Sequence, residues 1–242
     1  MLLLDVGNSR SKWARIENRE WVQQGVVDNA EWKSGKRIFE LLSPPSRIII
    51  SNVAGEEMAK LLRGRCSKWS AQVELVMARE FQCGVRNTYI NPLQLGSDRW
   101  AALIAARNRI NHACLVVNCG TATTVDALSD DGEFLGGLIL PGVTLMQQSL
   151  MHNAAQLKDG EGQLESFPRS TADAIYSGVI RATIGAIEQQ RSALKILGFS
   201  EMIPCVLSGG AADKIEKHLG MAVERVDNLV LEGLKIIGET SA

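Results

Sequence analysis

One pattern is written twice in this chain of 242 residues, and it limits the folds open to it. The apolar run Leu2 to Val6 breaks at Gly7-Asn8, and strand-like pieces follow at Lys12 to Ile16 and Trp21 to Val27. In the second half Ala113 to Val117 breaks at Gly120. Thr121 to Leu128 comes next and, after Asp130-Asp131-Gly132, so does Phe134 to Leu140. Short apolar or β-branched runs bounded by turn residues read as strands, so each half opens with an antiparallel meander. Helices and strands then alternate. The first half continues with a helix over Glu31 to Leu42, a strand at Arg47 to Ser51, a helix over Glu56 to Arg65, a strand at Val73 to Val76 and a helix from Ser97 or Asp98. The second half continues with a helix after Pro141-Gly142, the long helical pattern Thr171 to Leu197, a strand at Cys205 to Ser208, a helix over Ala211 to Leu219, a strand at Ala222 to Val226 and a last helix over Leu229 to Ile237. The pattern predicts an α/β protein of two duplicated lobes with mixed sheets, residues 1–110 and 111–242, meeting near Asn108 to Ala113. Ligand sites favour the cleft between such lobes.

Composition narrows the partners. With 26 Lys and Arg against 27 Asp and Glu the net charge is −1, and the basic residues are scattered. A nucleic-acid or membrane-surface partner is not expected from such a balance. The N-terminus meets Asp5 after four apolar residues, too early for a signal peptide. No apolar run reaches the ~18 residues of a membrane span, so the expected location is the cytoplasm. Cys66, Cys83, Cys114, Cys119 and Cys205 contain no Cys-x-x-Cys pair and read as free thiols in a reducing compartment. His112, His152 and His218 stand far apart, without zinc-ligand spacing.

Chemistry concentrates in three places. Asp5-Val6-Gly7-Asn8-Ser9-Arg10-Ser11-Lys12 puts a glycine at a strand end, where backbone N–H groups can approach a phosphate with no Cβ in the way. Asn8, Ser9 and Ser11 add side-chain donors, and Lys12 a point charge. Asp5 is placed either to hold Mg²⁺ through water or to close a turn. Asn118-Cys119-Gly120-Thr121-Ala122-Thr123-Thr124-Val125-Asp126 repeats the layout, with Thr121 and Thr123 offering hydroxyls. Ser208-Gly209-Gly210-Ala211 opens a helix, a common place for phosphate or ribose. Gly96-Ser97-Asp98-Arg99-Trp100 sets an acid at a helix start. Asp98 serves either as an N-cap or as the base that takes a proton from an attacking hydroxyl, with Arg99 beside it for an anion. The P-loop, the dinucleotide G-x-G-x-x-G, the protein-kinase set and the nucleophile elbow are all absent from the sequence.

In order along the chain, these motifs resemble those of the type III pantothenate kinases, in the superfamily of acetate and sugar kinases, actin and heat-shock chaperone ATPases. The resemblance takes in Tyr89-Ile90-Asn91-Pro92, Leu95 to Trp100, Gly120 to Asp126, Gly136 to Gly142, Ser170 to Ile175 and Leu207 to Gly210. It implies a duplicated ribonuclease H-like fold with a nucleotide cleft between the lobes, a homodimer, and ATP-dependent phosphorylation of pantothenate in coenzyme A synthesis. ATP would lie against Asp5, Val6, Gly7, Asn8, Ser9, Arg10, Ser11, Lys12 and Thr121. Pantothenate would touch Tyr89, Gly96, Ser97, Asp98, Arg99 and Thr171, with Asp98 as the base. Mg²⁺ would accompany ATP, through Asp5. The family usually has Asp where this chain has Asn118, and that Asp binds the K⁺ or NH₄⁺ many members need. The departure bears on the monovalent cation and leaves the fold untouched. The alternatives from the sequence are a kinase of another small hydroxylated metabolite and a non-catalytic nucleotide-binding regulator.

Overall fold

The computed structural model describes residues 1–33, 44–153 and 162–240. It divides into two compact units, Met1–Arg109 with Asn228–Ala242, and Ile110–Asp227.

The first unit begins with β1 (Leu2–Val6), β2 (Arg10–Glu17) and β3 (Glu20–Asp28), then α1 (Asn29–Lys33), β4 (Arg47–Asn52), α2 (Glu56–Cys66) and β5 (Gln72–Leu75). The remainder of the predicted helix Glu31 to Leu42, from 34 on, lies outside the described residues. The sheet order is β3-β2-β1-β4-β5. β1 pairs antiparallel with β2 and parallel with β4, so it is central and buried on both faces. Because successive side chains alternate between faces, Leu2, Leu4 and Val6 join Trp13, Trp32, Ile48, Ile50, Met58 and Leu62 in one core. Leu3, Ile49 and Asp5 point to the other face. Asp5 stands opposite Lys12 on β2 and Ser51 on β4, so all three side chains share that second face.

The segment after β5, whose Asn, Pro and Gly read as a functional loop over Ala78 to Gly96, contains a small hairpin, β6 (Phe81–Gln82) and β7 (Val85–Asn87), and a 3₁₀ turn at Pro92–Gln94. Asn87 ties the excursion together, accepting from the Tyr89 N–H at 3.1 Å and donating to the Pro92 carbonyl at 3.1 Å. α3 (Ser97–Arg109) follows.

The second unit repeats the order. It has β8 (Cys114–Cys119), β9 (Ala122–Leu128), β10 (Glu133–Pro141), α4 (Val143–Asn153), α5 (Thr171–Ile196), β11 (Cys205–Ser208), α6 (Asp213–Glu216) and β12 (Val223–Arg225). β8 is antiparallel to β9 and parallel to β11, β9 is antiparallel to β10, and β11 is parallel to β12. Its core packs Leu115, Val117, Val125, Val179, Ile180 and Ile187 together. Strand for strand this is the arrangement of the first unit. The helix predicted over Ala211 to Leu219 shrinks to α6, because turns with i→i+3 bonds such as Lys214 N–H to Ala211 O occupy the flanks.

The chain then closes with α7 (Leu229–Thr240), and here the structure groups the elements differently from a cut at residue 110. α7 clusters with the first unit and packs on α3. Gly233 makes the approach possible, since a Cβ there would collide with the Ala101 backbone. Arg109 grips Glu232 through Nε at 2.7 Å and Nη2 at 2.8 Å, and Arg47 donates to the Gly238 carbonyl at 2.6 Å.

Candidate active site

The register of β1 carries Asp5 to the C-terminal end of the first sheet, on the face that α3 covers. Beside it, Ser51 is fully buried, and its hydroxyl shares a hydrogen bond of 2.9 Å with that of Ser97, the first residue of α3. The Ser97 oxygen also accepts the Asn52 N–H at 3.2 Å. These bonds fix the start of α3 over the ends of β1 and β4. Asp98 is thereby brought near enough to Asp5 for their charges to interact.

Burial, joined by the nearby Asp98 charge and opposed by Lys12, pushes the Asp5 carboxyl up to about 7. Asp98 is also raised, chiefly by burial, with the Arg99 N–H and the Arg99 charge opposing. Its Oδ1 accepts from the Arg99 N–H at 2.8 Å. A side-chain N-cap accepts from the second or third helical N–H, whereas this bond goes to the next residue, and the helix begins before Asp98. The carboxylate folds back beside Gly96, where a Cβ would lie 2.6 Å from Oδ1. Asp98 is a half-buried carboxylate whose proton affinity is raised by burial.

Arg99 is 6% exposed and does not stand out in solvent as an anion clamp. Its Nη1 donates to the Tyr89 hydroxyl at 3.1 Å, and its guanidinium lies 5.8 Å from the Tyr89 ring centre. Tyr89 and Arg99, ten residues apart, form one unit beside Asp98.

In the first loop Asn8, Ser9 and Arg10 are exposed, Gly7 and Lys12 half-buried, and Val6 fully buried. Arg10 pairs with Asp28 at 3.2 Å. Ser11 corrects the expectation that its hydroxyl faces a phosphate. It shares the face of Trp13 and Val6, is fully buried, donates to Asn29 Oδ1 at 2.8 Å and accepts from Trp32 Nε1 at 2.9 Å. Ser97 is a similar case, with its hydroxyl committed to Ser51 and Asn52 rather than open to a substrate.

In the second unit Thr121 is exposed at the tip of the β8–β9 turn. Two glycines frame this turn: a Cβ on Gly142 would meet the Gly120 and Thr121 backbone, and one on Gly209 the Cys119 backbone. The Gly142 N–H donates to Thr121 O at 2.9 Å, and the Ala211 N–H to Cys119 O at 3.1 Å. Thr123 is fully buried and so cannot offer its hydroxyl to a phosphate, and Asp126 is 1% exposed. Gly209 has φ +100 and opens turns rather than a helix, so no helix N-terminus stands there. Asn118 is half-buried on β8, opposite Thr124 and Ser208. Thr171 is exposed at the start of α5, whose N-cap is Ser170. Of the segment Ala155 to Arg169, only 162 onward is described; it lies along α5, with the Gln163 N–H on Asp173 and the Glu165 N–H on Ser177.

Sequence reasoning missed Ser51, Asn29 and Asn87, the polar residues that hold the site's backbone. Ser51 had a legible signal, a hydroxyl ending an otherwise apolar strand run.

The two carboxylates suit a Mg²⁺-nucleotide. Among the described residues no three His, Cys, Asp or Glu side chains gather to hold a metal by themselves. Asp5 offers one carboxylate on a partly open face, the kind of ligand that Mg²⁺ takes together with water and phosphate oxygens.

Residues 1–193 match the family model for type III pantothenate kinase. A type III pantothenate kinase of Nitrosospira multiformis is 47% identical over 242 residues, covering 100% of this chain and 92% of that protein. A solved structure from Campylobacter jejuni, assigned to the Baf family of transcriptional activators, superposes with a TM-score of 0.65 at 21% identity, covering 100% of this chain and 99% of that one. One from Sinorhizobium meliloti, assigned as a 2-dehydro-3-deoxygalactonokinase, gives 0.61 at 15% identity, covering 99% and 98%. At such identities the two structures speak for the fold alone, a duplicated ribonuclease H-like fold, while the close full-length relative and the family model speak for more. This chain belongs to the type III pantothenate kinase family.

Proposed function

We propose that this chain transfers the γ-phosphoryl group of ATP to the primary hydroxyl of pantothenate, giving 4'-phosphopantothenate and ADP, the first step of coenzyme A synthesis. Family membership supports the reaction, and the Asp5–Asp98 arrangement supports the site. Asp98 accepts the hydroxyl proton as the oxygen attacks phosphorus and the bond to the β-phosphate oxygen breaks. Asp5 would hold Mg²⁺, through water; the ion would supply charge to offset that on the phosphate oxygens. Val6 and Gly7 contribute backbone, Asn8, Ser9 and Arg10 the exposed edge of the phosphate turn, and Lys12 a cation on the same face as Asp5. Ser11 acts from within by holding the turn, and Thr121 adds a hydroxyl to the nucleotide. Pantothenate meets Tyr89, the backbone around Gly96 and Ser97, Asp98, Arg99 and Thr171.

The active form is a homodimer in the cytoplasm, as the family resemblance implies. With Asn118 in place of the family's usual acid, the enzyme works without a strong requirement for K⁺ or NH₄⁺. The test is phosphorus NMR of a reaction holding ATP, Mg²⁺ and pantothenate. A new phosphomonoester that forms only with all three supports the proposal, and ATP left intact refutes it.

A further inference from the structure

The turn between β1 and β2 is held by a residue well outside its motif. Asn29, the first residue of α1, is 8% exposed. Its Nδ2 donates to the Gly7 carbonyl at 2.7 Å and to the Asn8 carbonyl at 3.0 Å. Its backbone N–H donates to the Ser9 carbonyl at 3.1 Å, and its Oδ1 accepts from the Ser11 hydroxyl. The Gly7 N–H donates to the Arg10 carbonyl at 3.1 Å. The carbonyls of four successive residues, Gly7 to Arg10, are therefore satisfied inside the protein, three of them by Asn29.

Peptide geometry turns this into a statement about the other side of the loop. In a trans peptide the C=O and the following N–H point in opposite directions. With the Gly7 and Asn8 carbonyls drawn in toward Asn29, the N–H groups of Asn8 and Ser9 point away from it, toward the side on which both residues are exposed. Two successive N–H groups presented together form an anion-binding concavity, or nest. The amide of Asn29 can impose this orientation, because it carries two donors on one nitrogen and an acceptor beside them.

We propose that Asn29 is a positioning residue for phosphate binding, which sets the Asn8 and Ser9 amides as a nest for a phosphate of the nucleotide. The inference rests on the reading that ATP lies on this turn. Asn29→Ala removes the two side-chain donors, and Asn29→Asp keeps the shape and the Ser11 bond while replacing those donors with a carboxylate. Both variants raise KM for ATP, Asn29→Ala by about 10- to 100-fold, the size expected when hydrogen bonds to a charged group are lost. KM for pantothenate stays within about twofold, since no pantothenate contact depends on the turn. Trp32→Phe, which removes the other bond to Ser11 and leaves the Gly7 and Asn8 carbonyls held, lowers the melting temperature with KM for ATP unchanged.

The deciding measurement is made on the intact wild-type chain, so it does not depend on a variant folding. Amide proton and nitrogen shifts of Asn8 and Ser9 are followed by NMR as magnesium tripolyphosphate is added. Large, saturable shifts at both amides, lost in Asn29→Asp, support the proposal. Wild-type protein that phosphorylates pantothenate while these amides stay unmoved overturns it and leaves the kinase reading intact. Wild-type protein whose amides respond but which leaves pantothenate untouched overturns the kinase reading and upholds the nest. Variants that lose melting temperature with KM for ATP unchanged show Asn29 to be only structural, and the proposal fails.

Discussion

The carboxylate of Asp98 fills the space in which a side chain of Gly96 would stand: a Cβ at Gly96 would lie 2.6 Å from Asp98 Oδ1 and 3.7 Å from Val53 Cγ1. The φ of Gly96 is not positive, so space rather than backbone conformation requires glycine here. Gly96→Ala should therefore displace the carboxylate while the helix itself forms. A displacement of about 1 Å at the reacting group costs on the order of 10²-fold in rate. Steady-state kinetics should show kcat reduced by about that factor, with circular dichroism unchanged.

Replacing the acid tests its chemistry rather than its placement. Asp98→Asn keeps the size and still accepts the Arg99 N–H, but cannot take a proton. A positioned base contributes about 10²- to 10⁴-fold, and phosphoryl transfer depends less on base strength, so the lower end is expected. Nucleotide binding, measured by calorimetry with a non-hydrolysable analogue, should survive. Near wild-type turnover at saturating substrates would mean that Asp98 only shapes the helix start.

The pair Asp5 and Asp98 also fixes how stability responds to pH. Asp5 is raised from 3.8 to about 7, so between these values the native state holds a proton that the unfolded chain has released. Protons bound more in the native state make stability fall as pH rises, and this contribution is present below the unfolded value and lost through about 7. In protein free of nucleotide and metal, Asp5→Asn should match wild type in melting temperature near about pH 3 and exceed it increasingly up to about pH 7, with little further change above that. A constant difference across that range would contradict the assignment.

Much of this architecture was legible in the residues. Leu2 to Val6 and Ala113 to Val117 marked an interior strand of each sheet because a strand covered on both faces needs a continuous apolar run. The Gly breaks and β-branched strands after them exposed the duplication. What the residues could not show was direction and partnership. The docking of α7 depends on partners far away in sequence, the close passage of Gly233 over Ala101 and the bonds from Arg109 to Glu232 and from Arg47 to the Gly238 carbonyl. Ser11 and Ser97 read as ligands because hydroxyls in a glycine motif suit phosphate or substrate. The pleat sends Ser11 to the face of Trp13, and Ser51 waits under Ser97. Asp5 and Asp98, by contrast, were both legible and now stand together. Their neighbours Ser51 and Asn29 were not, because a buried polar side chain that holds backbone leaves no motif.

Asn118 yields a prediction about ions. An Asp in its place would add a negative charge beside bound phosphates that a monovalent cation could offset. The amide is neutral and offers one carbonyl oxygen or an N–H. Initial rates in sodium, potassium and ammonium buffers of equal ionic strength should agree within about twofold, while omission of Mg²⁺ abolishes activity. Asn118→Asp should make the rate respond to potassium. Strong saturable activation of the wild type by potassium would show that other groups hold the ion.

The central claim is that Asp5 and Asp98 serve the phosphorylation of pantothenate. Its most direct test is a coupled ADP-release assay on the wild-type chain with Mg²⁺-ATP, run in parallel against pantothenate, pantetheine, glycerate and common sugars, with Asp98→Asn as the control. The account predicts rapid ADP release with pantothenate, none above background with glycerate or sugars, and a drop of about 10²-fold or more in the variant. Equal release without any acceptor, or preference for a sugar, would contradict it.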